Sequence, residues 1–185
     1  MKIYTIENTK EMFFLLEATK GVKQDPKWHP EEDVFQHSLQ VLKWALRESN
    51  DIDVVLTALL HDVGKAIETK GHAEISCELL KDLAAEKTLF LIRNHRRIWD
   101  YLDGSMHKLE KCLFLAEHPW LPELIQLARF DRKGRNPNVK IKYDKENIIE
   151  KLNRKCKEHF YIPEHLKGEI NYDKDVPGLR EKKNE

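Results

Sequence analysis

The segment Val54-Val55-Leu56-Thr57-Ala58-Leu59-Leu60 constrains the fold more than any other part of the chain, because a helix over these residues is apolar on nearly every side. Such a helix is stable only when neighbouring elements cover all of its faces. Most of the other apolar residues recur at three- and four-residue spacing, and β-branched clusters between turn signals are scarce. The sequence therefore predicts an all-α fold, a compact helical bundle with this segment at its centre.

Length, charge and cysteine content narrow the class of protein. The 185 residues, 41% of them hydrophobic, suffice for one buried core. The 32 basic and 32 acidic residues cancel, so we expect no strong non-specific binding to nucleic acids or membranes. The three cysteines are widely spaced, which indicates reduced thiols, and no run reaches the roughly 18 apolar residues of a membrane span. We expect a cytoplasmic protein, whose oligomeric state the sequence leaves open.

Capping and breaking residues divide the chain into predicted helices. These are residues 8–18, 34–48 with Asp33 as N-cap, 53–62 ended by Gly64, one opening at His72, 86–101, one between Ser105 and Glu117, one carrying Asp131, and 145–158. Together they predict one domain over residues 1–136, with its core over about 22–136. A helical segment over 137–166 should pack on the same domain, and the polar, Lys-rich residues 167–185 are predicted to form a mobile tail.

A buried metal site is predicted from His and Asp side chains on apolar helix faces. His61-Asp62 directly follows the apolar segment, and burial of such groups is costly unless they are paired or bound to metal. Imidazole and carboxylate ligands suit divalent Mn, Fe, Co, Ni or Zn. The candidate ligands that share inward faces are His37, His61, Asp62 and Asp131. Two further histidines, His72 and His95, are candidates to bind a second metal or to contact phosphate.

This set of ligands favours hydrolysis. A metal ion there would lower the pKa of bound water and screen charge at phosphorus. We predict Asp62 and Lys65 as catalytic residues, the first to orient the water and the second to stabilise the developing charge. Basic residues next to the proposed ligands are candidate substrate contacts, namely Lys65, Arg96 and Arg135.

The remaining histidines and the tryptophans are predicted to have structural roles. We expect surface or packing positions for His29, His107, His118, His159 and His165, of which His118 alone is a candidate to line the pocket. Stacking on a base is open to Trp28, Trp44, Trp99 and Trp120, but core packing is the favoured use.

The order of His37, His61-Asp62 and Asp131 on an all-helical chain resembles the HD-domain metal-dependent phosphohydrolase superfamily. Residues 24–37, 58–65, 71–72 and 131–135 look like the HD domain appended to bacterial CCA-adding tRNA nucleotidyltransferases, over about residues 22–136. The resemblance implies phosphatase, 2',3'-cyclic phosphodiesterase or nucleotidase activity on a nucleotide or an RNA end. It also implies one or two ions of Mn, Co, Ni, Fe or Zn, with Mg a further option, on the four candidate ligands.

Several residues differ from the HD-domain pattern, and these differences argue against some substrates of the superfamily. Glu32 stands where the family usually has Gly, Ser38 where Thr is common, and Ala73 where Glu commonly follows the histidine. The Lys65-Ala66 pair replaces the acidic pair of guanosine tetraphosphate hydrolases, and no Gly-Tyr-Pro of cyclic-di-GMP phosphodiesterases is present. Only about twenty residues precede the HD region, so we expect a free-standing HD protein without nucleotide-adding activity.

Three alternatives stay open. A deoxynucleoside triphosphate triphosphohydrolase is one branch of the same chemistry. The six ligands His37, His61, Asp62, His72, His95 and Asp131 resemble the dinuclear iron sites of HD-type oxygenases. A non-catalytic module that senses a nucleotide would keep the site without turnover.

Overall fold

The helical periodicity of the sequence produces a bundle of α-helices. The computed structural model describes Tyr4 and residues 6–155. The helices are α1 (Ile6–Glu17), α2 (Val34–Glu48), α3 (Ile52–Leu60), α4 (His72–Leu80), α5 (Glu86–Asn94), α6 (Arg97–Leu102), α7 (Leu109–Ala116), α8 (Leu121–Lys133) and α9 (Lys145–Lys155). Within these described ranges there is no strand, and the only bridge residues are Tyr4 and the isolated pair Lys23 and Asp33. The all-α prediction is confirmed.

Helix α3 is the central element, as its apolar sequence predicts. It packs against α1, α2, α5 and α8, and its residues from Val54 to Leu60 are all buried. Full burial of each large aliphatic side chain stabilises the fold by about 1.5–3 kcal/mol. The helix begins one residue earlier than predicted because Asp51 is the N-cap, with its carboxylate accepting hydrogen bonds from the backbone N–H groups of Asp53 and Val54.

The end of α3 differs from the prediction. The helix stops at Leu60 and not at about Asp62, and a 3-10 turn over Val63–Ala66 follows. Gly64 serves a different purpose, since a Cβ atom there would lie 2.3 Å from the carbonyl oxygen of His72 and 2.8 Å from the backbone nitrogen of Ser76. The missing side chain therefore lets the start of α4 lie directly against this turn.

The predicted single helix over 86–101 is wrong, because the chain breaks between α5 and α6. The ring Nδ1 of His95 donates a 2.6 Å hydrogen bond to the carbonyl oxygen of Ile92. A side chain that takes a backbone carbonyl in this way competes with continuation of the helix. His95 consequently follows the last turn of α5, and its ring is turned into the interior.

Helix α2 matches its predicted bounds, and Asp33 is its N-cap, accepting a 2.9 Å hydrogen bond from the backbone N–H of Gln36. Two glutamines on α2 also bind the chain beyond α8. Gln40 contacts the carbonyl oxygens of Asn136 and Val139, and Gln36 exchanges two hydrogen bonds with the backbone of Ile141. These amide contacts hold residues 136–141 along α2.

Smaller differences concern the ends of the chain and one tryptophan. Helix α1 begins at Ile6, earlier than predicted, and the described part of the last predicted helix is Lys145–Lys155. Trp28 is 60% exposed, which contradicts core packing, whereas the other three tryptophans pack against the core. The division into a domain over 1–136, a segment over 137–166 and a tail over 167–185 stays a prediction, and residues 156–185 lie outside the described residues. None of the described helices is long and apolar enough to cross a membrane.

Candidate metal centre

Six predicted side chains meet in one buried cluster around the end of α3. Each of them is at most 5% exposed, and they come from α2, the end of α3, the start of α4, the end of α5 and α8. They are His37, His61, Asp62, His72, His95 and Asp131. The structure therefore brings together residues that the sequence places far apart.

The carboxylate of Asp62 lies between two pairs of histidines. Its Oδ2 is 3.4 Å from Nε2 of His61 and 4.0 Å from Nε2 of His37, while its Oδ1 is 3.0 Å from Nε2 of His72 and 3.6 Å from Nε2 of His95. Within each pair the two Nε2 atoms are 3.3 Å apart. Asp62 is thus in contact with both halves of the cluster.

Backbone carbonyls orient three of the four rings. Nδ1 of His37 donates to the carbonyl oxygen of Gly134 at 3.2 Å. Nδ1 of His72 donates to that of Thr69 at 2.8 Å, and Nδ1 of His95 to that of Ile92 at 2.6 Å. A carbonyl oxygen can only accept, so Nδ1 carries a hydrogen in each ring and Nε2 is turned toward the cluster. This is the arrangement that metal-ligating histidines show in proteins.

Two buried polar atoms in the cluster lack hydrogen bonds. Nδ1 of His61 has no partner among the described residues, and Asp62 Oδ1 lies near two rings without forming a hydrogen bond there. Ligand atoms from two subsets lie within 4.8 Å of one another, one made of His37, His61 and Asp131 and the other of His61, Asp62 and His95. This mixture of nitrogen and oxygen atoms fits a divalent transition-metal ion at one or two positions.

The contacts of Asp131, His37 and His61 shift their pKa values in different directions. Burial raises the pKa of the Asp131 carboxyl, but the hydrogen bond from His37 and the charge of Arg135 outweigh it and hold that pKa well below its usual range. Burial lowers the pKa of His37, but its bonds to Asp131 and Glu31 raise it to about 9. Burial lowers the pKa of His61 to about 3, so that ring is neutral at pH 7. His37 therefore carries a second proton in the cation-free protein.

Two predicted substrate contacts are paired with the candidate ligands. Lys65 Nζ donates to Asp62 Oδ2 at 2.7 Å and to Gln24 at 2.6 Å. Arg135 binds the carboxylate of Asp131 in a bidentate manner, with Nη2 2.8 Å from Oδ2 and Nε 3.4 Å from Oδ1. Burial raises the pKa of Asp62, but the facing histidines and Lys65 hold it well below its usual range. Both cations thus hold their carboxylates ionised and in place.

The third predicted contact, Arg96, lies at the surface beside the cluster. It lines a pocket of about 250 Å³ together with His72, Arg93 and Arg97. Arg97 is bound to Glu74 at 3.2 Å, whereas Arg93 and Arg96 have no ion-pair partner in the described part of the chain. The carboxylates of Glu74 and Asp100 also line the pocket, so its three arginines leave it with a small excess of positive charge beside His72.

Sequence reasoning missed Glu31 and assigned His29 only a surface or packing role. The side chain of Glu31 is fully buried, and its Oε1 accepts a hydrogen bond from Nδ1 of His29 at 2.9 Å and lies in ion-pair contact with Nδ1 of His37 at 2.8 Å. Burial raises the pKa of Glu31, but these two contacts lower it to about 2. One signal in the sequence could have indicated this contact: His29 and Glu31 precede His37 by only eight and six residues, in the loop that leads into α2.

The other predicted histidines do not join the cluster. His118 stacks on Phe90 with ring centroids 3.6 Å apart. It packs outside the cluster and is not among the residues that line the pocket beside His72. His107 is exposed in the loop before α7. His159 and His165 lie outside the described residues.

Comparison with known proteins agrees with the geometry. Residues 34–133 match the HD domain family, whose superfamily consists generally of metal-dependent phosphohydrolases. The chain is also similar to multifunctional CCA proteins of Acinetobacter baumannii strains AYE, SDF and ACICU, each 28% identical over 86% of this chain and 44% of the relative. The chain thus spans less than half the length of these relatives. Because the family match covers more than half of its residues, the chain belongs to the HD domain family.

Proposed function

We propose that the protein is a metal-dependent phosphohydrolase that acts on a nucleotide or RNA-end phosphoester. The observation that carries the proposal is the orientation of His37, His72 and His95, whose backbone-bound Nδ1 atoms turn Nε2 toward two buried carboxylates. The names of the similar CCA proteins support a nucleotide or RNA substrate. Within this class the reaction is that of a nucleotidase, phosphatase or 2',3'-cyclic phosphodiesterase, with deoxynucleoside triphosphate hydrolysis as a branch.

The ligands divide into two groups that share Asp62. On the distances between their side-chain atoms, His37, His61, Asp62 and Asp131 would hold one cation, and Asp62, His72 and His95 would hold a second. When bound, a divalent cation such as Mn, Co, Ni, Fe or Zn supplies a water of lowered pKa and neutralises negative charge on the phosphate. Mg is a further option, though imidazole-rich sites favour the transition metals.

The protein side chains orient and stabilise the reacting groups. Asp62 is ionised at neutral pH, so it accepts a hydrogen bond from the attacking water and aligns it on phosphorus. Lys65 Nζ, 2.7 Å from the same carboxylate, places a positive charge beside the phosphoryl oxygens in the transition state. Because the side chains of Asp62 and Lys65 are only 1% and 8% exposed, little bulk water reaches them and their charges act at low dielectric.

Surface features beside the cluster favour a nucleotide. The pocket beside His72 offers the unpaired guanidinium groups of Arg93 and Arg96 to a phosphate. Trp28, 60% exposed, is joined to the cluster through Arg135, whose Nη1 donates to its carbonyl oxygen at 3.4 Å. Its exposed indole, with Lys27 Nζ 4.9 Å from the ring centroid, is a candidate to stack on a base. We therefore assign Arg96 to phosphate binding and Trp28 to the base.

Product analysis tests the proposal. Metal-free protein would be resupplied with single metals and incubated with deoxynucleotides, nucleoside monophosphates and 2',3'-cyclic nucleotides, and the products identified by mass spectrometry. We expect a metal-dependent product from the wild type that Asp62→Ala does not form, although its helical circular dichroism is retained. His118→Gln is the matched control, because His118 lies on Phe90 outside the cluster and its loss should leave turnover unchanged. Equal turnover by Asp62→Ala and wild type would refute the assignment of Asp62.

A dinuclear iron oxygenase is the second candidate. It is favoured by the position of Asp62, whose two oxygens face separate histidine pairs as a ligand between two ions would. Iron content with oxygen consumption and without phosphate release would support it. Tight nucleotide binding without any product would instead support a non-catalytic binding module.

A further inference from the structure

Glu31 is a buried carboxylate next to the candidate metal centre but not part of it. Its Oε1 accepts a hydrogen bond from Nδ1 of His29 and lies in ion-pair contact with Nδ1 of His37 at 2.8 Å, and its Oε2 is buried without a partner among the residues described. A buried ionised carboxylate is unfavourable unless neighbouring groups compensate its charge. The imidazole of His37, one of the candidate metal ligands, is such a neighbour.

The turn before α2 holds Glu31 in place. Glu32 adopts a left-handed backbone with φ of 63°, and its N–H donates to the carbonyl oxygen of His29 at 2.8 Å. The backbone N–H of Asp33, the N-cap of α2, donates to the carbonyl oxygen of Glu31 at 2.9 Å. The strained turn thus directs the Glu31 side chain inward, toward the first turn of α2.

His37 lies between Glu31 and the centre of the cluster. Its Nδ1 faces two groups that accept hydrogen bonds, Oε1 of Glu31 at 2.8 Å and the carbonyl oxygen of Gly134 at 3.2 Å. Its Nε2 faces Asp131 Oδ1 at 3.0 Å. Metal binding by His29, Glu31 and His37 as a separate site would need the Nδ1 lone pair, and the bond to Gly134 is incompatible with that.

We infer that Glu31 is a positioning residue, which keeps His37 in the tautomer that presents Nε2 to a metal ion, and that His29 holds Glu31 in place. The inference rests on the proposed metal centre. Carboxylates that accept a hydrogen bond from a ligating histidine typically contribute 10–100-fold to metal affinity. Because Gly134 still contacts Nδ1, removal of Glu31 should loosen the ring without releasing it completely.

The first experiment uses the unaltered protein. Zinc is added to the metal-free chain, and long-range ¹H–¹⁵N spectra report which ring nitrogens carry hydrogen and which bind the metal. We expect His37 in the zinc-bound protein to keep hydrogen on Nδ1 and to bind zinc through Nε2. Zinc on Nδ1 of His37 would overturn the inference, whatever the variants do.

The second experiment compares zinc affinities by competition with a chromophoric chelator. Glu31→Ala should bind zinc roughly 10–100-fold more weakly than wild type. Glu31→Gln should lie closer to wild type, because its amide oxygen still accepts from Nδ1. Glu123→Gln is the matched control, since Glu123 also has a buried oxygen without a partner in the described residues but binds Lys87 away from the cluster.

The outcomes separate the two proposals. An unaltered protein that binds no zinc would refute the metal centre and with it the proposed function. Zinc binding by the unaltered protein with equal affinity in Glu31→Ala would refute only the role of Glu31. If Glu31→Ala does not fold, Glu31→Asp replaces it, because the shorter side chain draws the carboxylate away from Nδ1 of His37; equal zinc affinity of Glu31→Asp and wild type would then refute the role of Glu31.

Discussion

Replacement of Gly64 by Ala should destabilise the protein and disturb the cluster, because the new Cβ atom has no room. It would lie 2.3 Å from the carbonyl oxygen of His72, and 2.8 Å and 2.9 Å from N and Oγ of Ser76. These neighbours are mainly backbone, so the start of α4 must retreat by about 1 Å to restore ordinary van der Waals distances. The same shift moves His72 away from Asp62, from which it is separated by only 3.0 Å.

The expected loss combines two effects. Overpacking of a tight contact costs about 1–3 kcal/mol in the free energy of unfolding. The Ser76 hydroxyl, which accepts from the Gly64 N–H at 2.8 Å and donates to the carbonyl oxygen of His61 at 3.1 Å, would lose part of its bonding, at a cost of about 1 kcal/mol. Urea unfolding followed by circular dichroism should therefore show Gly64→Ala less stable by about 2–4 kcal/mol, with an unchanged denaturant slope.

Gly104→Ala is the control for the effect of a methyl group on a glycine. Gly104 has open space around it and a φ of 78°, so the substitution should cost about 1 kcal/mol from backbone strain alone. If Gly64→Ala costs no more than Gly104→Ala and binds zinc like the wild type, the proposed close packing of α4 on the turn is refuted.

Two further predictions concern Glu32 and His37. Glu32→Gly should raise the free energy of unfolding by about 0.5–1 kcal/mol, because glycine adopts the φ of 63° without strain but loses more backbone entropy; a lower urea midpoint would contradict this. Zinc affinity should rise with pH by up to about tenfold per pH unit below 9, since the ion displaces the proton that His37 holds with a pKa of about 9. Chelator competition between pH 6.5 and 8.5 tests it, and a flat profile would show that His37 is already deprotonated.

Local sequence signals predicted the elements whose burial follows from their own composition. Helix α3 is apolar all round, and α2 combines an inward stripe with the Asp33 cap, so both were predicted closely. The break at His95 was missed because the spacing of its apolar neighbours continues through it, whereas in the structure the ring of His95 binds the carbonyl oxygen of Ile92 at the helix end. Glu31 was missed because a glutamate in a polar loop is usually solvated, and only contacts with His29 and His37 show that it is buried.

The amide contacts of α2 bear on where this folding unit ends. The match to the HD domain family stops at residue 133, yet Gln36 and Gln40 are satisfied by the backbone of residues 136–141. Further along, Ile148 and Leu152 of α9 belong to the same buried core. A fragment that ends at residue 133 would remove the hydrogen-bond partners of the Gln36 and Gln40 side chains. It would also expose the apolar surface that Ile148 and Leu152 cover. The residue at which the family match ends is therefore not the residue at which the folded unit ends.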